Sequence, residues 1–249
     1  HGGGQFLHRA GRFLQRAGLV FRAGGEGAVA LRHLRAAPGH GVGAVGHLGH
    51  QRRQLTGHAL QAIEENNLGN QAKPFKGEAL IARAYCHHML VTLFAQAYEI
   101  GGANSGMGVP YVMEPETVVS KQYDRGTVAS VYAQIEKDLT EGLALLAGGS
   151  WQVPKYHFTP QAAHAFAARF YLFKGDWDKV IEHASAIFPE NNFYDNIRQY
   201  AGNLYNLTSD EHRQDYTKAE RPFNLLLANT YSVYHRSSGA GANRYGFGE

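Results

Sequence analysis

The chain has 249 residues, 44% of them hydrophobic, and a formal charge of +3, which is enough apolar material for one sizeable core or two small ones. No apolar run reaches the about 18 residues that a spanning helix needs, so a simple transmembrane helix is excluded. The single Cys86 excludes an intrachain disulfide framework and a cysteine-based zinc site, and beside Ala84, Tyr85 and Met89 it reads as a small buried residue.

The charge is unevenly divided. Residues 1–62 carry eight Arg, no Lys and one acid, Glu26, for +7, and the remainder carries 16 basic and 20 acidic residues, for −4. The same segment holds 14 of the 30 Gly and 7 of the 14 His, and lacks Lys, Asp, Asn, Ser, Ile, Tyr, Met, Cys and Trp. A nucleic-acid-binding tail would mix Lys with Arg among aromatics, and only Phe6, Phe13 and Phe21 occur. A transit peptide would be Ser-rich. Loss of residues with AT-rich codons, with gain of Gly, Ala, Arg and His, is what GC-rich DNA yields when read in the wrong frame. Residues 1–62 are therefore expected to be an anomalous segment, misframed or disordered. Its run HGVGAVGHLGH at 40–50 lies in a Gly-rich setting without carboxylates, so no metal site is expected there.

A helical pattern begins after residue 62, and 63–249 is expected to be one partial helical domain. The stretch 77–99 has charges only at Glu78, Arg83 and Glu99, so it predicts a helix buried on nearly all sides, with His87 and His88 packed in the core rather than chelating an ion. A Gly-, Pro- and Asn-rich loop follows, too long for a tight corner. Over 127–146, Val128, Val131, Tyr132, Ile135, Leu139 and Leu143 share one helical face behind a Thr127 cap, and Gln134, Glu136, Lys137 and Asp138 read as a solvated face at the edge of the bundle. Thr159 and Pro160 open a helix that Gly175 ends, and Asp176 caps a second that stops at Pro189. Alanines at 162, 163, 165, 167 and 168 make the first helix slim, so Trp177, Val180, Ile181 and Ala184 of the second are expected to pack against it. Two antiparallel helices with a tight Gly-Asp corner are the unit of tetratricopeptide-type solenoids. Beyond Pro189, aromatics among Asn, Gly and Ser predict irregular loops with a short helix or two, and the ending SSGAGANRYGFGE lacks a final apolar face, as if the domain continued. The expected fold class is all-α, a tetratricopeptide-like helical repeat scaffold with long irregular loops.

Four segments in order carry a resemblance to a known family. GEALIARAYCHHMLVTLFAQAY, GVPYVMEPE, YDRGTVASVYAQIEKDLTEGLALL and FTPQAAHAFAARFYLFKGDWDKVIEHA, spanning about 63–188, resemble the motifs of SusD/RagB-type proteins. The resemblance implies surface-exposed, lipid-anchored outer-membrane proteins that capture oligosaccharides, or peptides, and pass them to a TonB-dependent (SusC-like) transporter. It carries over the scaffold and no binding residue, and Cys86, inside a helix, is not a lipidation site.

Sugar rings are held by flat aromatic faces beside polar side chains. Trp151 and Tyr156 in GGSWQVPKYHF are the candidate ligand-binding residues, NNFYDN at 191–196 has similar chemistry, and Trp177 reads as structural. The chain carries no G-x-S-x-G, H-E-x-x-H or P-loop pattern, and GAGAN lacks the flanking strand and helix of a dinucleotide site, so neither catalysis, a cofactor, a metal nor a nucleic-acid partner is expected. A tetratricopeptide-type protein-interaction scaffold is the alternative, which several clean repeats at a fixed period would favour.

Overall fold

Three side chains set the starts of the main helices. Thr127 Oγ1 accepts the Ser130 amide at 3.1 Å while Ser130 Oγ accepts the Thr127 amide at 2.9 Å, a reciprocal cap that satisfies two orphan donors. Thr159 accepts the Ala162 amide at 3.3 Å, and Asp176 the Lys179 amide at 3.4 Å. The computed structural model describes residues 56–66, 69–114, 122–188, 193–198, 206–216 and 218–227. The histidine run at 40–50 and the ending 228–249 lie outside the described residues.

Among the described residues every regular element is a helix. Helix α1 covers 56–65, α2 Lys73–Phe94, α3 Val128–Leu145, α4 Pro160–Lys174, α5 Trp177–Ile187 and α6 Ser209–Tyr216, with short 3-10 turns at Gly69–Ala72, Pro154–Tyr156 and Phe193–Asn196. Their strand-like pairing is confined to an isolated antiparallel bridge, Met107 to Thr127. The fold class is all-α, as the periodicity indicates. Helix α1 runs across residue 62, where the composition changes, and its Ala59, Leu60 and Ile63 are buried with Ala79 and Leu80 of α2.

The main core lies where α2, α3 and α4 meet. Ile81, Ala84 and Val91 of α2, Val131, Ile135 and Leu139 of α3, and Ala163, Phe166, Ala167 and Phe170 of α4 are all buried in it. Helices α2 and α3 approach closely at paired glycines, since a Cβ on Gly142 would fall 2.6 Å from Ile81 Cγ1 and 2.8 Å from the Gly77 carbonyl oxygen. His88 sits within 5.2 to 6.2 Å of the rings of Tyr132, Phe166, Phe170 and Phe173, so both α2 histidines are core residues.

Three expectations need correction. The helix read over 77–99 spans Lys73–Phe94. Pro74, which needs no amide partner in a first turn, lets it start early, and the Arg125 guanidinium takes the Phe94 carbonyl at 3.1 Å at its end. Helix α3 keeps an exposed face, Lys137 included, with Gln134 and Glu136 half-buried, but Asp138, read as part of that solvated face, is 2% exposed. On α5 the packed stripe is Val180, His183 and Ile187, whereas Trp177 is 55% and Ile181 65% exposed and Ala184 is also exposed. The apolar residues at 177, 181 and 184 mark a second stripe about 100° round the helix; Trp177 does not face the partner helix.

Candidate functional site

Two polar clusters tie the loops to this core. The first lies under the long connection between α2 and α3. Arg83 donates to both carboxylate oxygens of Asp138, at 2.5 and 2.8 Å, and to the Met113 carbonyl at 3.1 Å. The Tyr111 hydroxyl donates to Asp138 at 2.7 Å, the Tyr111 ring stacks on His87 at 3.9 Å, and the Val112 amide donates to His87 Nε2 at 3.1 Å. Burial alone would lower the Arg83 pKa, but Asp138 outweighs it and holds the guanidinium charged. Burial, then Asp138, pushes the Tyr111 phenol far above its ordinary range, so it stays a donor. Every polar group here has a partner, which is the condition for a buried ion pair to be tolerated. The cluster ties residues 111–113 to α2 and α3.

The second cluster holds the loop after α3. Glu78 of α2, its side chain 12% exposed, faces three donors of that loop. Trp151 Nε1 donates to one carboxylate oxygen at 2.8 Å, and His157 Nδ1 at 2.8 Å and the Phe158 amide at 3.2 Å share the other. Gly149 lies against the indole, since a Cβ there would fall 2.4 Å from Trp151 and 2.9 Å from Pro74 Cβ. Trp151 is thus fixed at both its N–H and its ring edge, and half-buried. Tyr156, in the Pro154–Tyr156 turn, is half-buried against the main core. The structure brings the two candidate residues into one anchored loop. Of NNFYDN, the described part forms a 3-10 turn with Tyr194 79% exposed; residues 191–192 lie outside the described residues.

Among the described residues no group of three or more His, Cys, Asp or Glu could hold a metal, and no helix is long and apolar enough to cross a membrane. His164 and His183 meet Nδ1 to Nδ1 at 3.0 Å. Burial lowers both their pKa values, so this is a neutral pair in which one ring donates to the other and joins α4 to α5. Glu78 and Asp138 escaped the sequence reading as site-forming residues. The signal was present in Glu78 and Arg83, since a charge on a helix that is otherwise apolar all round requires a buried partner.

Residues 55–172 match the protein-family model of SusD-like proteins described as starch-binding, associating with outer membrane. Over this segment the chain is SusD-like. Solved structures agree on the fold. A SusD superfamily protein from Bacteroides thetaiotaomicron superposes with a TM-score of 0.51 at 24% identity, over 62% of this chain and 33% of that one. A SusD-like carbohydrate binding protein from Bacteroides vulgatus gives 0.56 at 17%, over 72% and 35%. A putative sugar binding protein from the same species gives 0.53 at 22%, over 72% and 38%. The chain therefore spans between 33% and 38% of these structures' lengths. No curated protein matches it. The match from residue 55 takes in α1, and the Glu78 and Asp138 clusters both lie within the SusD-like segment.

Proposed function

We propose that this protein captures a glycan without transforming it, at the outer-membrane surface, and passes it to a TonB-dependent transporter of the SusC-like kind. The observation that carries the proposal is the SusD-like match over residues 55–172 coinciding with an aromatic loop clamped to the scaffold. Sugars stack on ring faces by dispersion and CH–π contact and use an indole N–H little. The Trp151 N–H bound to Glu78 fixes the orientation of the half-buried ring, whose exposed part serves as the platform, which lowers the ordering cost of binding. Trp151 supplies that platform and Tyr156 a second ring, with the working part of the chain beginning at residue 55 and residues 1–54 contributing nothing to capture.

Affinity electrophoresis through gels containing a panel of neutral and acidic polysaccharides, with peptides as competitors, tests the reading. Retardation in at least one glycan gel, reduced in a Trp151→Ala variant that keeps its helical circular dichroism, is the expected outcome. Mobility unchanged in every gel refutes capture. Recovery of a transporter barrel on pull-down from outer membranes would extend the reading to delivery, and peptides from residues 1–62 in a digest of the native protein would defeat the misframed reading of that segment.

A further inference from the structure

The loop that carries Trp151 and Tyr156 does not stand alone. The Leu227 amide donates to the Lys155 carbonyl at 2.7 Å, and Lys155 Nζ reaches the Arg221 carbonyl at 3.5 Å. That same Arg221 carbonyl accepts the Asn224 amide at 3.1 Å. Asn224 is 6% exposed and fully engaged, donating to the carbonyls of Tyr216 at 2.9 Å and Lys218 at 2.8 Å and accepting from Arg198 Nη2 at 2.7 Å. One buried asparagine thus links Arg198 to the Arg221 turn, whose carbonyl also receives Lys155. Beside them, the Arg198 guanidinium carbon lies 3.6 Å from the Tyr216 ring centroid and 4.2 Å from that of Phe223. Tyr216 is 49% exposed, so Arg198 backs an aromatic ring that is open to solvent.

The charges at this point do not balance. Asp215 is taken by Arg221, at 2.9 Å through Nε, and by Lys218 at 3.4 Å. Glu211 is taken by Thr208, and the exposed Glu220 acts on Arg221. Lys155 and Arg198 are left with no carboxylate within ion-pair distance among the described residues, in contrast to Lys174 and Lys179, which share Glu136. Arg198 also keeps Nε and Nη1 without a partner there, because Nη2 makes both its hydrogen bonds, to Tyr216 and Asn224. Both cations are half-buried. A guanidinium held in place with unused donors is suited to a carboxylate, which it can bind through two N–H groups at once.

We infer that the glycan bound at this surface is acidic, its uronate-type carboxylate groups seated between Lys155 and Arg198 while a neighbouring ring stacks on Tyr216. The inference rests on the capture reading and names its ligand class. Burial lowers the Lys155 pKa, as expected of an ammonium group that lacks its anion.

Isothermal titration of the full chain with polygalacturonate and alginate, with highly methyl-esterified galacturonan as the neutral counterpart and poly-glutamate as a non-sugar anion, decides the matter. Binding of an acidic glycan at least about tenfold tighter than its ester, and weakened about tenfold or more in Arg198→Gln and in Lys155→Met, is expected from loss of one charge-assisted contact. Arg198→Lys, which keeps the charge and loses the two-pronged geometry, is expected to fall between. Equal or tighter binding of the ester overturns the acidic assignment and leaves capture standing. Equal binding of poly-glutamate, or unchanged affinity in both variants, overturns the site. Silence toward every glycan overturns the capture reading itself.

Discussion

The two helical pairs are joined in opposite ways. Between α4 and α5 the chain turns in two residues: Gly175 adopts φ +79°, its amide returns to the Leu172 carbonyl at 3.3 Å, that of Asp176 to Tyr171 at 3.0 Å, and Asp176 caps the next helix. Between α2 and α3 the connection runs over 95–127, and its residues 111–113 are held by groups distant in sequence, above all Arg83 and Asp138, 55 positions apart. A short corner is specified by the local φ preference of glycine and the capping preference of aspartate. A long connection has no such local rule, and here a buried polar network replaces it.

Perturbing the two connections should expose the difference. Removing Asp138 leaves Arg83 charged and uncompensated in the core, so Asp138→Ala is expected to cost about 3–5 kcal/mol in urea denaturation. A loss no larger than that from the local cap would show that the network does not hold the long connection. The core beneath it should also be acid-sensitive through His88, whose pKa burial, then the Arg169 cation, lowers from 6.5 to about 4. Its stabilising share is complete above the unfolded value. As pH falls toward 4, the unfolded chain takes up a proton that the native site refuses, and up to about 3 kcal/mol is lost. Urea midpoints at pH 7 and pH 4.5 should therefore differ less in His88→Phe than in the parent chain.

Where α2 and α3 cross, Gly142→Ala should destabilise by about 1–3 kcal/mol through overpacking, even though alanine is the better helix former by about 1 kcal/mol. A neutral or stabilising result would mean that Ile81 moves aside freely. The smallest effect is expected at the tight corner, where Asp176→Ala should cost about 1 kcal/mol and leave the α2–α3 pair unaffected in hydrogen exchange.

These contrasts explain what the sequence could reveal. Thr127, Thr159, Gly175 and Asp176 were legible because a cap or a left-handed residue acts within one turn. The buried fate of Asp138 was not, because Gln134, Glu136 and Lys137 surround it with the signature of a solvated face and its partner lies on another helix. The α5 face was misread for a related reason: Trp177, Ile181 and Ala184 form as regular an apolar stripe as Val180, His183 and Ile187, and only the neighbouring helix decides which is covered. In the candidate site, Trp151 and Tyr156 were found by residue type. Glu78, which fixes Trp151 from 73 positions away, and Arg198, which meets Tyr216 from 18 positions away, join their partners only in three dimensions.

The chain has two tryptophans, and this makes capture by the Trp151 loop directly measurable. In Trp177→Phe, emission reports Trp151 alone, and titration with the polysaccharide that retards the protein most should give a saturable intensity change. In Trp151→Phe, emission from the exposed Trp177 should stay constant under the same titration. A saturable change in Trp151→Phe, with none in Trp177→Phe, would contradict the account and move the glycan to the α5 face.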